Sequence, residues 1–361
     1  LLAEFYVSIK KMPVMKRGKI TFSGFYEIWK TRYESSYSET TRHSNEHDVK
    51  NRILPYFGKL YLNQINADHI SNFLLEMKQH KMRLDGRNGL LSDATIHKYF
   101  RILRAILNKA VELEYISFNP CSKLPRAEKP KPNYKKRPIY QERELSEFFK
   151  AIDNLKENAL NTKYKLMVYL GFFGGIRRGE LYGLKWCDWD ENNMTLNIRH
   201  SCYDVGKGAK GLKKPKTKSS DRIIYYNEEI KVLFSKHKKY QDEWLKKYNI
   251  ENDEQYVFIA GKGVIKSGKA KLASPSGFYS WLMNFIKKHK FKHITVHSLR
   301  HMAASYALAN GAALTSVQSM MGHTRIETTA IYLHELENKT KETSNILTDI
   351  AEHLRKQGDD C

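Results

Sequence analysis

VHSLRHMAASYALANG (296–311) and, shortly after it, MGHTRIETTAIYLHE (321–335) are the segments on which the reading of this chain turns. In the first, His297, Arg300 and His301 stand at i, i+3 and i+4, so a helix puts them on one face, with Leu299, Ala303 and Tyr306 toward the core. In the second, Thr324 and Glu327 have the T-x-x-E spacing of a capping box, which predicts a short helix with His323 just before it and Tyr332 about two turns along. Taken singly these features are bland, since a basic helical face is ordinarily solvated and a tyrosine ordinarily belongs to a core or a surface. Together they bring His297, Arg300, His301, His323 and Tyr332 within about forty residues of a basic chain. Cationic donors beside a phenol are what attack on a phosphodiester through a covalent tyrosine adduct requires. A metal site is disfavoured, because no carboxylate joins the histidines at ligand spacing.

The surrounding composition agrees with a polyanionic partner. Lys+Arg 62 against Asp+Glu 39 leaves a net charge of +23 over 361 residues, an excess that favours nucleic acid through counterion release. The length suits two domains, each with its own core. Cys121, Cys187, Cys202 and Cys361 form no C-x-x-C pair, so neither a zinc site nor a disulfide framework is indicated, and a reducing cytoplasm fits. No apolar run approaches the roughly 18 residues of a membrane span, and LLAEFYVSIKKMPVMKRGK (1–19) lacks the order of a signal peptide. The expectation is a soluble cytoplasmic protein without a membrane partner. The chain starts at Leu1 rather than methionine, which leaves room for sequence upstream.

The first two-fifths reads as helix. FSGFYEIWKTRYESS (22–36) has aromatics at helical spacing, and SETTRHSNEHDVKNRILPYFG (38–58) continues until Pro55 and Gly58 break it. NADHISNFLLEMKQHKM (66–82) carries the stripe Ile70, Phe73, Leu74, Met77 behind Asn66, and SDATIHKYFRILRAILNKAVELEYI (92–116) repeats apolar residues at three and four behind an N-cap at Ser92. A small helical bundle is therefore expected. FNPCSKLPRAEKPKPNYKKRPIY (118–140), rich in Pro and Lys, reads as an exposed strap, either an ordinary linker or a clamp joining two basic domains around a duplex.

From about 141 the pattern turns mixed. QERELSEFFKAIDNL (141–155) and KYKLMVYLGFFGG (163–175) read as helices, TLNIRHSCY (195–203), RIIYYN (222–227) and YVFIA (256–260) as strands, and GKGAKGLKKPKTKSSD (206–221) as a Gly- and Lys-rich connection. Helices return at 275–289, 297–311 and 314–322, followed by the Tyr332 helix and an amphipathic tail with Ile346, Leu347, Ile350 and Leu354. In GGIRRGEL (174–181) an arginine follows a glycine turn with a carboxylate three residues on, so it can be held rigid while presenting its fork to phosphate; an ion-paired helix arginine is the plain alternative. Lys214, Lys216 and Lys218 are a solvated run taken alone, although a hairpin-tip lysine can reach a minor groove or protonate a leaving oxygen.

With GGIRRGEL, PKTKSSDR (215–222), HSLRHMAAS (297–305) and MGHTRIETTAIY (321–332) in view, the second domain resembles the tyrosine recombinases, the phage-integrase family. The resemblance implies Arg177 as the family's first catalytic arginine, Glu180 as its supporting acid, His297 and Arg300 from the H-x-L-R-H box, His323, and Tyr332 as nucleophile. Met302 stands where the family has threonine, and the hairpin lysine corresponds best to Lys216. Lys214, Lys218 and the strap residues Asn133, Lys135 and Lys136 are the implied DNA contacts.

The implied chemistry is strand cleavage to a 3′-phosphotyrosine and a free 5′-hydroxyl. Arg177 and Arg300 hold the non-bridging oxygens, His297 exchanges the phenolic proton, His323 bonds the phosphate and Lys216 protonates the 5′-oxygen, without metal, cofactor or ATP. The implied fold is mainly α with a small antiparallel β-sheet. It comprises a basic segment at 1–20 of the kind that leads from an upstream arm-binding domain, a helical SAM-like core-binding domain at 21–120, a strap at 121–140 and a mixed α/β catalytic domain at 141–361, with a tail from 336. Expected partners are double-stranded attachment sites, three further copies in a tetramer on two duplexes, and an excisionase or a host DNA-bending protein; the bound protein would sit on the nucleoid. Integration or excision of a mobile element is the leading role. Xer-type dimer resolution, type IB topoisomerase-like relaxation and a catalytically inactive architectural protein are the alternatives.

Overall fold

In a computed structural model, which describes residues 19–79, 89–133, 139–204, 210–213 and 221–332, the first helix begins where the Thr21 hydroxyl accepts a hydrogen bond from the Gly24 amide (3.2 Å). This helix, α1 (Phe22–Tyr33), buries Phe22, Phe25, Tyr26 and Trp29, the three-and-four spacing of one face. α2 (Glu39–Asp48) runs through a π-helical stretch, Val49–Ile53, into α3 (Leu54–Phe57). Where the sequence predicts one regular helix, the ladder ahead of Pro55 widens so that the Leu54 amide bonds the Val49 carbonyl. Proline has no N–H to give, and the wider turn absorbs the break. α4 (Ala67–Gln79) starts at Asn66, whose side-chain oxygen accepts from the His69 amide (3.0 Å), and its predicted stripe Ile70, Phe73, Leu74, Met77 is buried. α5 (Asp93–Glu112) is capped by Ser92, which accepts from the Thr95 amide (3.3 Å). Asn119 caps α6 (Pro120–Lys123) and ties it back to α5 by donating to the Arg104 carbonyl (3.0 Å) and to Asn108 (2.6 Å). These helices share one core in which the Phe57 and Phe73 rings meet edge-on at 5.1 Å.

By its internal contacts the chain divides into two units, 1–136 and 137–361. The second has its own core around α8 (Ala159–Phe173), which follows α7 (Glu142–Asp153). Leu166, Met167, Val168, Tyr169 and Leu170 are buried in succession, the mark of a helix enclosed on all sides. After α9 (Arg178–Gly183) come β1 (Trp189–Asp190), β2 (Thr195–Ile198), β3 (Ser201–Asp204), β4 (Lys210–Lys213) and β5 (Arg222–Tyr225). β1, β2 and β5 form an antiparallel sheet in that order, with Thr195 opposite Tyr225 and Ile198 opposite Arg222, while β3 and β4 make a separate hairpin. α10 (Glu228–Lys247), α11 (Pro275–His289), α12 (Val296–Ala309), α13 (Leu314–Met321) and α14 (Ile326–Ala330) complete the unit, with α10 and α12 packed on α8. Met302, the departure from the family's threonine, is fully buried and its sulfur accepts from the Tyr140 amide (3.3 Å).

The mainly helical fold with a small antiparallel sheet is as expected, with local corrections. TLNIRHSCY is two strands in different sheets, because Arg199 and His200 leave the ladder between them. YVFIA is not a strand: it bends at Val257 and Phe258 between isolated bridges at Tyr256 and Ile259, and is met by single bonds such as Val257 N–H to the Leu184 carbonyl (3.0 Å) and Ala273 N–H to the Phe258 carbonyl (3.1 Å). The Gly/Lys connection contains β4, and the 20-residue α10 has no counterpart in the sequence reading. The capping box at Thr324 and Glu327 is not how α14 starts: Arg325 holds the N-cap position and the helix ends at Ala330, leaving Tyr332 in the turn beyond it.

Candidate active site

The site is assembled around a glycine turn. α8 ends at Phe173, and Gly175 adopts φ +55°, where a side chain is strained and where a Cβ would lie 2.6 Å from the Met321 sulfur. This turn points the Gly175 carbonyl at Arg300 and delivers Arg177 to the N-cap position of α9. Glu180, one turn along and 3 % exposed, reaches back: its Oε2 accepts from the Arg177 amide (2.9 Å) and its Oε1 from the Arg177 guanidinium (2.7 Å). The other arm of that guanidinium donates to the Gly322 carbonyl (2.8 Å), and the side chain stays 34 % exposed.

A second arginine shares the same carboxylate. Arg222 opens β5 and donates to Glu180 Oε2 (3.0 Å) and, through Nε, to the Met320 carbonyl (2.6 Å). Arg300 lies on α12, whose start is fixed by reciprocal bonds between Thr295 and Ser298 (3.2 and 3.1 Å). It is 1 % exposed, donates to the carbonyls of Gly175 and Met321, and reaches His323 Nε2 at 3.0 Å. The far ring nitrogen of His323 meets the Thr329 hydroxyl at 2.9 Å.

Three guanidiniums therefore surround one carboxylate. Burial opposes the charge on Glu180, but Arg222 and Arg177 outweigh it and hold its pKa below the ordinary carboxylate value. Burial, then the charges of Arg177 and Arg222, pushes Arg300 down to about 9, still a cation at neutral pH. Burial and the neighbouring Arg300, Arg177 and Arg222 push His323 down to about 4. A neutral His323 that accepts from Arg300 at Nε2 carries its proton on Nδ1 and donates it to Thr329, an assignment made from the hydrogen-bond network. With Arg177, Arg222 and Arg300 against Glu180, the cluster carries two uncompensated positive charges, a field complementary to a bound anion.

The phenol lies beside this cluster. Tyr332 is 4 % exposed, packed among Ala304, Leu308, Val317 and Met321, with its amide bonded to the Thr329 carbonyl (3.1 Å). Its ring is nearly parallel to that of His323, with centroids 6.2 Å apart, and edge-on to His301 at 5.1 Å. His301 in turn meets the His297 ring at 4.7 Å, so His301 stands between His297 and the tyrosine. The structure thus brings Arg177, Glu180, Arg300, His323 and Tyr332 together, with exposed His297 one ring further out. Asn133 is exposed in the strap, and Lys135, Lys136, Lys214, Lys216 and Lys218 lie outside the described residues.

Sequence reasoning missed Arg222 and Thr329. A signal for Arg222 existed: in RIIY a period of two puts it on the same face as the buried Ile224, and an inward arginine requires a buried acceptor. Among the described residues no helix is long and apolar enough to cross a membrane.

The model of the phage integrase family matches residues 140–339, and that of the phage integrase N-terminal SAM-like domain matches 21–78. Relatives include the ICEBs1 integrase of Bacillus subtilis, 24 % identical over 93 % of this chain and 84 % of its own length. A tyrosine recombinase of Thermosipho africanus is 27 % identical over 82 % of this chain and 89 % of its own. The fold is shared with the Tn1549 transposon integrase, solved in complex with a circular intermediate DNA: TM-score 0.69, 20 % identity, 87 % of this chain and 94 % of that one covered.

Proposed function

The chain belongs to the phage integrase family, whose members include integrases and tyrosine recombinases, and we propose that it uses Tyr332 to cleave and rejoin DNA during site-specific recombination of a mobile element. The observation that carries the reading is the doubly cationic pocket of Arg177, Arg222 and Arg300 beside a tyrosine ring. A scissile phosphate entering it replaces the carbonyls as acceptor for the Arg177 and Arg300 guanidiniums, and the charge of the cluster stabilises the pentavalent transition state.

Tyr332 Oη attacks phosphorus, its proton passing toward His297 with His301 between them. The P–O5′ bond breaks, and the 5′-oxygen takes a proton from Lys216. The products are a 3′-phosphotyrosine and a 5′-hydroxyl. Attack by a 5′-hydroxyl of a second duplex forms the new phosphodiester and returns the proton to the phenol, so no ATP is consumed. Tyr332 is buried, so its attack on phosphorus requires the Tyr332 side chain to move out to the phosphate.

Lys214, Lys218, Lys135 and Lys136 are proposed DNA contacts on their charge, and Asn133 on its exposed place beside the two strap lysines in the sequence. Four copies on two duplexes, with an excisionase or a host bending protein setting direction, complete the reading. Two labelled duplexes bearing the element's junction sequence test it: recombinant strands are expected. Relaxation without exchange would instead favour a topoisomerase, and binding without cleavage an architectural protein.

A further inference from the structure

We infer that Arg222 is a positioning residue for strand cleavage, one that keeps the Arg177 guanidinium available to the phosphate by occupying the other oxygen of Glu180. The inference rests on the reading that Arg177 clamps the scissile phosphate.

Glu180 has two oxygens and three donors around them. Arg177 holds Oε1 with its side chain and Oε2 with its backbone amide, while Arg222 holds Oε2 with its guanidinium. An arginine and a carboxylate left to themselves prefer the two-armed fork, which would take both outer nitrogens of Arg177 and fold its charge onto Glu180. Arg222 prevents that. It satisfies the second oxygen, adds a positive charge that splits the pull of the carboxylate between two cations, and leaves Arg177 held by one arm with the other on the Gly322 carbonyl.

The geometry of Arg222 suits this task better than a packing role. It is the first residue of β5, 8 % exposed, and its fork spans two elements, bonding Glu180 on α9 and the Met320 carbonyl on α13. The Met320 carbonyl lies immediately before those of Met321 and Gly322, which receive Arg300 and Arg177, and three residues before His323. One side chain thus fixes the carboxylate that orients the first arginine and the loop that receives both. A lysine at this position could reach one acceptor but not both in a fixed plane.

The consequence is selective for charge at the phosphate. Without Arg222, Arg177 is drawn onto Glu180 and the field at the non-bridging oxygens weakens, whereas binding of flanking DNA is untouched. A methylphosphonate at the scissile position, in which a methyl group replaces one charged oxygen, needs that field far less.

The test is single-turnover cleavage of a nicked suicide duplex by saturating enzyme, with phosphate or methylphosphonate at the cut. R222Q is expected to slow phosphate cleavage about 100-fold, the scale of a misplaced catalytic group, while methylphosphonate cleavage stays near the wild-type rate. R222K, which keeps the ion pair and gives up the Met320 carbonyl, is expected to lose about tenfold. The pair E180Q/R222Q is expected to cost no more than the larger single effect, since both act through one carboxylate. Equal loss on both substrates, or no loss, overturns the inference. If R222Q melts below the assay temperature, R222K carries the same comparison with the same two readings. R177A is the control for the underlying reading: absence of phosphate-selective loss there means Arg177 is not the clamp, and the proposed site fails with it.

Discussion

His323 is the residue whose charge the site controls most firmly. Burial and three nearby guanidiniums lower its pKa to about 4, so it is neutral where a free histidine would be partly charged. A histidine with a depressed folded-state pKa binds fewer protons folded than unfolded. Its contribution to stability is therefore complete above pH 6.5, the ordinary value, and is lost as pH falls toward about 4. Thermal melting followed against pH is expected to show a declining midpoint across that window, flattened in H323Q, and an imidazole NMR titration is expected to place His323 below pH 5. Binding of a phosphate anion adds negative charge beside the ring, so the titration should move upward in the DNA complex. Arg177, Glu180, Arg300, His323 and Tyr332 were legible because each sits in a spaced motif. Arg222 was not, since one inward arginine on a four-residue strand reveals its meaning only when the carboxylate opposite it is seen.

At the scale of elements, two turns separate stability from function. Gly175→Ala places a side chain at φ +55° and 2.6 Å from the Met321 sulfur, which should destabilise by about 1–3 kcal/mol. It also shifts the carbonyl that holds Arg300, so cleavage should fall below wild type even well under the melting temperature. Thr295→Ala removes the cap of α12 at a cost of about 1 kcal/mol, and its cleavage rate at low temperature should be unchanged. A G175A enzyme that is less stable yet fully active would show that the turn serves packing alone. Helices with one apolar stripe, such as 67–79, could be read from spacing, because the stripe meets a single core. The short strands could not. In 195–203 the chain leaves one sheet and enters another within two residues, and in 256–260 Val257 and Phe258 are buried while the backbone bonds Leu184 and the 271–273 segment by isolated pairs.

For the whole molecule, the net charge of +23 sets the expected behaviour toward DNA. Affinity for non-specific duplex should fall steeply with salt, by about a thousandfold or more from 50 to 200 mM if six or more phosphates are contacted, as measured by anisotropy. A flat response would place the excess charge away from the DNA. The two matched family segments, 21–78 and 140–339, fall on either side of the Pro- and Lys-rich stretch 118–140, whose first residues are not the exposed strap expected: Pro120–Lys123 is helical, and Cys121 and Leu124 are buried in the first core. The placement of the proposed general-acid lysine was beyond sequence spacing, since Lys214, Lys216 and Lys218 are alternate residues of one connection. All of this converges on one phenol. The most direct measurement is to trap the enzyme on a nicked suicide duplex, digest the protein and locate the DNA-bearing peptide by mass spectrometry. The account requires a 3′-phosphate esterified to Tyr332 and no adduct with Tyr332→Phe; an adduct on any other residue, or one that survives the substitution, contradicts it.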